Sequence, residues 1–541
     1  MWVLAWALCV ALIPLPAAAQ AVHVHISERG DTLIGLGRRF LVDPARWPEI
    51  ARANRLRNPD LIGTGVPIRI PLALMRTEPA PSAVVGVTGQ AQAGSAPLQA
   101  GQALPEGTEV QTGTDGHVIL RLVDGTVLRL RPDSRLRLSE SRRISGTPAT
   151  RAGAQLDGGR VEVEAAPAPA GRPGFEIGTP QGVLGVRGTE FRVATQAALT
   201  RGEVLQGVVA VDSREGGAGQ RVAAGFGTTV AAGAPVAPPV PLLPPPATAG
   251  LPTLQERVLM RFEVPPQAGA AAWRGQIARD DRFDQVLADL VSNSPELRFA
   301  DLPDGDYLLR VRAIDARGLE GQDAVLRFRR KARPEPPLPS APPQRSQLFG
   351  DRVEFAWAAN ADAARYRLQV ARSDSFGAEA LVRDVEALTT PAAVVDGLPP
   401  GSYHWRVASV RDTAAHPQDQ GPWGDAVEFQ LRPAPPIPQP PAVGERAISF
   451  SWAGRPGQQF DFQLARDPEF LNVLTEVRVD QPGIEVPLPG AGRFHIRLRA
   501  IEPDGFVGPW ATPQYFDVPN CVRDSAGLCV RAGDGTLNAT Q

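Results

Sequence analysis

A chain of 541 residues is too long for one hydrophobic core and should hold roughly three to five domains. A net charge of −2 excludes the large basic field that grips phosphate backbones, so no nucleic-acid partner is expected. With 55 prolines and 54 glycines, the composition favours short strands, turns and spacers over long helices.

Residues 1–20 read as a secretion signal, with an apolar stretch from Leu4 to Leu15 and a small-residue cleavage pattern at Pro16-Ala17-Ala18-Ala19. No later stretch reaches the ~18 apolar residues of a membrane span, so no transmembrane segment is expected after cleavage. From 21 to 72 the pattern is strand, helix, helix, strand. Val22-His23-Val24-His25-Ile26 alternates. Gly30-Asp31-Thr32-Leu33 then turns into a helix, with Gly30 free to take positive φ and Asp31 or Thr32 supplying a capping oxygen. Leu33, Leu36, Phe40 and Leu41 recur at helical spacing. A second helix is predicted near Trp47–Asn54, with Pro48 in its first turn, and Val66–Pro71 returns as a strand.

The residues Gly30-Asp31-Thr32-Leu33, Phe40, Val42, Asn54, Leu56, Pro59, Leu61, Gly65, Ile68, Ile70 and Pro71 resemble the LysM domain, a small βααβ module that binds N-acetylglucosamine-containing glycans. One departure is Leu36-Gly37 where that family often has Ile-Ala, and Gly37 weakens the helix by roughly 1 kcal/mol relative to alanine. The resemblance implies a sugar groove with Gly30, Asp31, Thr32 and Leu33 on one side and Asn58, Pro59, Asp60, Leu61 and Ile62 on the other. Its expected ligand is the glycan strand of peptidoglycan. The competing reading is that Asp31 and Thr32 only cap a helix.

Residues 73–83 read as a linker. A run of short strands with glycine turns then fills 84–230. His117–Leu122 and Thr126–Leu130 alternate about Asp124-Gly125, a hairpin signal. Arg135–Leu138 and Arg160–Glu164 add strands whose arginines and glutamates oppose the aliphatic residues, which predicts a solvated charged face. The run ends in Thr179, Pro180, Gly182, Val186, Arg187, Gly188, Thr189 and Phe191, within Phe175–Val193, which resembles the signature of the FecR domain. Arg187 is expected to be structural, partly buried among strand residues; the alternative is that Arg187 and Thr189 bind a ligand. Founding members of that family are sensors that signal across the inner membrane, so the resemblance implies an extracytoplasmic β-domain with an envelope protein partner.

Residues 231–252, rich in proline and alanine, read as a semi-rigid extended spacer. The remainder repeats with a period on the order of 90 residues, the length of a β-sandwich rather than a solenoid unit. Gln276-Ile277-Ala278-Arg279, Gln369-Val370-Ala371-Arg372 and Gln463-Leu464-Ala465-Arg466 form one line of the repeat, followed by Phe283, Phe376 and Phe470. Gly305–Val311, Gly401–Val407 and Gly492–Leu498 form the second. The pattern resembles fibronectin type III-like domains at 253–333, 334–433 and 434–519, and its recurrent tryptophans and tyrosines are read as core rather than as a sugar-stacking surface. In the tail, 520–541, Cys521 and Cys529 can close a disulfide loop in an oxidising compartment or remain free thiols.

No catalytic constellation is present: there is no Gly-x-Ser-x-Gly elbow, no His-Glu-x-x-His and no phosphate loop. His23 and His25 share a strand face but are too few to hold a metal. No cofactor and no metal are expected. The fold class expected is mainly β and multidomain: a βααβ module, a FecR-like β domain and three sandwiches. The expected function is that of a non-catalytic exported protein of a bacterial periplasm or cell envelope, bound to peptidoglycan through its first module. The alternatives are a FecR-like signalling protein acting on a membrane regulator, and a cryptic peptidoglycan hydrolase.

Overall fold

The structure is a computed structural model that describes residues 22–56, 58–167, 174–186, 188–444 and 446–518. The signal segment, Arg187 and the Cys521–Cys529 pair lie outside the described residues. The chain divides into two compact units, Met1–Lys331 and Ala332–Gln541.

The first unit opens with β1 (Val22–Ile26), α1 (Leu33–Phe40), α2 (Trp47–Ala53) and β2 (Pro67–Pro71). The two strands pair antiparallel, with Val22 opposite Pro71 and Ile26 opposite Pro67. Thr32 begins α1 with extended backbone, and its hydroxyl oxygen accepts from the Gly35 N–H at 3.0 Å. Leu33, Leu36 and Phe40 fall on the buried face, as their spacing predicts, while Arg38 and Arg39 sit in the last turn where the helix dipole favours cations. Gly37 has a packing reason. A Cβ there would come within 3.0 Å of the Pro44 carbonyl oxygen and the Trp47 Cβ, so the missing side chain lets the turn before α2 cross closely over α1. Asn54 ends α2 by donating to the carbonyls of Ile50 and Arg69 and accepting from the Arg69 N–H, each at 2.7 Å.

Residues 73–83, expected as a linker, are largely strand. Thr77–Pro79 pairs with Arg142–Ile144, the Ala80 N–H donates to the Ser141 carbonyl, and Ser82 starts the next strand with its hydroxyl 3.0 Å from that of Ser141. The prolines are tolerated because they lie where the ladder needs no donor from them. The core of the βααβ module continues into Ile144 and Ala149, so module and barrel share buried apolar surface.

Strands from Thr77–Pro79 to Val240–Pro241 close into a barrel, crossed by the long strands Arg135–Ile144 and Thr150–Glu164. The expected hairpin forms, His117–Arg121 pairing with Val127–Leu130 about Gly125, whose φ of +93° suits glycine. Val110, Leu120, Leu128, Leu136, Val161, Val163, Val193 and Val209 fill the interior. The stretch at 231–252 also departs from expectation. Val240–Pro241 pairs with Phe226–Gly227, and Val236, Leu242 and Leu251 are buried. Aliphatic residues among the prolines find apolar surface to cover, so the segment packs instead of spanning open solvent.

The first sandwich sets the sheet Leu254–Gln255, Ala324–Arg330, Gly305–Asp315, Ala270–Ala278, Val286–Ser292 against the pair Met260–Glu263 and Glu296–Phe299. The second unit holds two further sandwiches built on the same plan. Phe355, Trp357, Trp405 and Phe429 form one core, and Phe450, Trp452, Phe462 and Phe494 the other, so the repeated aromatics are core residues. Tyr307 and Tyr403 each donate their hydroxyl to a carbonyl four residues back, Pro303 at 2.7 Å and Pro399 at 2.5 Å. Phe494 takes their place in the third repeat.

Candidate functional site

Arg135, Arg137 and Glu164 are exposed, as expected of a solvated charged face, but around Glu162 the face is covered, which corrects the expectation there. Register places Arg129 opposite Glu162, Glu162 opposite Arg192, and Arg192 opposite Glu203, a row of alternating sign across four adjacent strands. Their neighbours Leu128, Val161, Val163, Val193 and Val204 point into the barrel by strand alternation. The row itself lies under the first sandwich, where Arg192 is 1% and Glu203 3% exposed.

The sandwich meets this row with Arg274, Arg310 and Arg312 from two adjacent strands and with Glu320 and Asp323 from the following turn. Glu162 receives Arg131, Arg310 at 3.2 Å and Arg312 at 2.9 Å. Arg192 bonds Glu203 at 3.0 Å and Asp323 at 3.1 Å, and donates to the carbonyls of Glu320 and Gly321 at 2.7 and 2.6 Å. Glu320 is shared by Arg160 at 2.8 Å, Arg274 at 2.7 Å and Arg312 at 2.9 Å. Arg129 closes the row onto Asp284 at 2.6 Å. Burial opposes ionisation of Glu162, but Arg131, Arg310 and Arg312 together hold its carboxyl well below 4.5. Arg274 and Arg312 likewise outweigh burial and hold Glu320 down, at about 2. Glu203 goes the other way. Burial, reinforced by the Glu320 charge, outweighs Arg192 and raises it to about 7.

The signature residues frame this seam. Thr179, Pro180 and Gly182 make the turn between strands Phe175–Gly178 and Gly182–Val186. The Thr179 hydroxyl accepts from the Gly182 N–H at 3.0 Å and lies 2.9 Å from the Thr200 hydroxyl, which donates to Gln181 at 2.7 Å, so this part is structural. Val186 and Phe191 are in the barrel core. Gly188, with φ +62°, and Thr189 border a cleft of about 510 Å³ between barrel and sandwich that is also lined by Glu164, Glu190, Asp281 and Arg310. The buried Thr189 hydroxyl has no hydrogen-bond partner among the described residues. Desolvation raises the Glu190 carboxyl, helped by the nearby Asp323 and Glu164 charges.

The two loops expected to grip sugar lie side by side. Ser27, just before the first loop, exchanges backbone and hydroxyl bonds with Val66 and donates to the Gly63 carbonyl just after the second. Within them, Asp31 accepts from the Glu28 N–H and meets His25 Nε2, both at 2.8 Å, which holds its carboxyl below the ordinary range. Thr32 caps α1, Leu33 is buried and Gly30 turns the chain at φ +95°. On the other side Asn58 accepts from the Asp60 N–H at 3.0 Å, Pro59 and Ile62 are half-buried, and Leu61 is 75% exposed. His23 and His25 pack on the Phe40 ring at 5.7 and 5.4 Å. Among the described residues no group of three or more His, Cys, Asp or Glu is placed to hold a metal, and no helix is long and apolar enough to cross a membrane.

Sequence reasoning missed the seam, although the repeats carried a signal. In every repeat an arginine stacks on the phenylalanine of the first line and donates through Nε to the glutamine: Arg310 on Phe283 and Gln276, Arg406 on Phe376 and Gln369, Arg497 on Phe470 and Gln463. In repeats two and three that arginine also lies against a tryptophan, Trp423 at 4.5 Å and Trp510 at 4.6 Å. The tryptophans come from Gly421-Pro422-Trp423 and Gly508-Pro509-Trp510. Repeat one reads Gly321-Gln322-Asp323, and its aspartate binds Arg312 at 2.5 Å and Arg192 of the barrel. That exchange of an aromatic for a carboxylate marks the sandwich that docks.

Residues 108–210, inside the barrel, match the family described as FecR protein, so the chain carries a FecR domain. No curated protein matches the chain. Among solved structures it is similar to a candidate anti-sigma factor from Parabacteroides distasonis ATCC 8503, seen in crystals at 2.50 and 1.65 Å. The identity is 20% and the TM-score 0.21, over 25% of this chain and 59% of that one. It is also similar to the FN1-FN3 domains of chicken CNTN1, at 18% identity and TM-score 0.18, over 51% of this chain and 98% of that one.

Glu162→Gln leaves three guanidinium groups without their shared carboxylate, and should destabilise the first unit by about 3–5 kcal/mol. Hydrogen exchange in strand Glu190–Gln196 should accelerate accordingly, whereas Arg352→Ala, at an exposed pair in the second unit, should leave it unchanged. The pH dependence follows from the shifts. Glu162, Glu320 and Asp323 are depressed in the fold, so the stability they contribute is present above their ordinary values of 4.5 and 3.8 and is lost as pH falls toward 2. Glu203 is raised, so its contribution is complete below 4.5 and is lost as pH rises through about 7. Protection of the same strand should therefore rise as pH falls from 7 to about 5, as Glu203 takes up its proton, and fall steeply below about 4.5.

Proposed function

We propose that this protein is a non-catalytic component of bacterial envelope signalling, in which the FecR domain is the part that contacts a membrane regulator. The family match over residues 108–210 carries the reading. The geometry supports it in one respect: the first sandwich covers the charged strand face, so a partner must use another surface of the barrel. Val85, Val208 and Phe226 leave apolar side chains exposed on the barrel, and Val208 follows Gly207, which packs on Thr189 of the signature. Photo-crosslinking from position 208 of the mature chain in cells should trap an inner-membrane regulator, and Val208→Arg should abolish its co-purification. Crosslinks confined to soluble proteins, or co-purification untouched by the variant, would count against this function.

A second reading has its own observation. The paired loops at the end of the β1–β2 ribbon, with Leu61 exposed between Asp60 and Ile62, suit docking to N-acetylglucosamine units of peptidoglycan, as the LysM resemblance implies. Mature protein should sediment with insoluble peptidoglycan, and Leu61→Asp, a change at an exposed position that spares the module core, should reduce retention several-fold. Equal retention of both proteins would remove the wall from the account.

A further inference from the structure

The seam carries a second cleft, and its charge is different. It has a volume of about 350 Å³ and lies between barrel and first sandwich. Arg131, Arg160, Arg201 and Arg274 line it, against two carboxylates, Asp133 and Asp289. Asp289 is already paired with Arg274. Arg160 and Arg274 also share a single carboxylate, Glu320, which serves Arg312 as well.

Among the described residues, one guanidinium group has no carboxylate partner, and a second keeps one donor to spare. Arg201 donates from Nε to the Arg317 carbonyl at 2.8 Å, and no carboxylate among the described residues pairs with it. Arg131 is 2% exposed and pairs with Glu162 through Nη2, while its Nε has no hydrogen-bond partner among the described residues. An unpaired buried donor is costly, and a cluster of guanidinium forks matches the oxygens of a phosphate group bidentately. The volume falls near the lower end of the range for small-molecule sites, about 300–1,000 Å³, and exceeds what a bare phosphate fills. We infer that this cleft binds a small phosphate ester through Arg201, Arg131 and Arg160. The site is independent of any regulator and of the wall.

Glycerol 3-phosphate, titrated calorimetrically into the mature full-length chain in low-salt chloride buffer, should bind with one site per chain. Arg201→Gln removes a side chain held by one backbone bond, and Thr114→Glu puts a carboxylate at the exposed rim of the same cleft. Each should weaken binding at least tenfold, while Arg352→Gln in the second unit leaves it unchanged. Parallel flotation with phosphatidylglycerol and phosphatidylcholine vesicles separates the sources. Vesicle binding lost in the same two variants assigns the phosphate to a lipid headgroup, and binding of the soluble ester alone assigns it to a free metabolite. Absence of binding to either probe by the unaltered chain, or affinity equal in all variants, overturns the proposal.

Discussion

The first unit depends on a row of alternating charges that has been taken out of water. Arg129, Glu162, Arg192 and Glu203 alternate across four strands, and the sandwich adds Arg310, Arg312, Glu320 and Asp323 from above. Desolvating so many ions is expensive, and their mutual attraction offsets that cost only where each charge meets its partners at good geometry. Such a seam contributes less to net stability than an apolar interface of the same size. What it supplies is registry. In the observed docking the arginines and carboxylates of the sandwich meet barrel charges of opposite sign. The Glu203 and Glu320 carboxyls illustrate the strain in this arrangement. Three arginines bond the Glu320 carboxylate and keep it charged, whereas Glu203, with Arg192 alone, is pushed toward protonation by burial and by the Glu320 charge.

The three repeats show how one scaffold serves two ends. The arginine stacked on phenylalanine and held by glutamine is common to all, and the glutamine is in turn held by an acid: Gln276 by Asp289, Gln369 by Asp384 and Gln463 by Glu476. Where tryptophan follows, as at Trp423 and Trp510, the arginine's flat face is covered within its own domain. Where aspartate stands instead, at Asp323, the guanidinium edges stay available to carboxylates from outside, and the barrel provides one. A single residue type thus separates a self-capped face from a docking face.

The proline-rich joins inside the first unit follow a related logic. Proline disfavours helix and removes donors, but it does not prevent packing. At 77–83 the extended backbone is a strand of the barrel, and at 236–243 aliphatic residues between prolines lie against it. Composition signals extended backbone in both places; whether such backbone spans solvent or lines a surface depends on what apolar area lies within reach.

Much of the fold was legible from local pattern. The βααβ order, the hairpin at Asp124-Gly125, the strand-and-turn character of the barrel and the aromatic cores of the repeats all follow from periodicity and turn chemistry, which act between near neighbours along the chain. The Thr179 turn was legible as a signature, and its hydroxyl network explains why those residue types are needed. The seam was not legible. Alternating charge on a strand looks the same whether water or another domain covers it, because alternation fixes only which side a residue faces. The two clefts share that limitation, since each draws its lining from strands far apart in sequence. The sequence by itself determined which residues form strands and which sides carry charge. Only the tertiary structure decided that Arg129, Glu162, Arg192 and Glu203 would be buried together, because that burial required a second surface with matching charges and with Asp323 where the other repeats keep tryptophan.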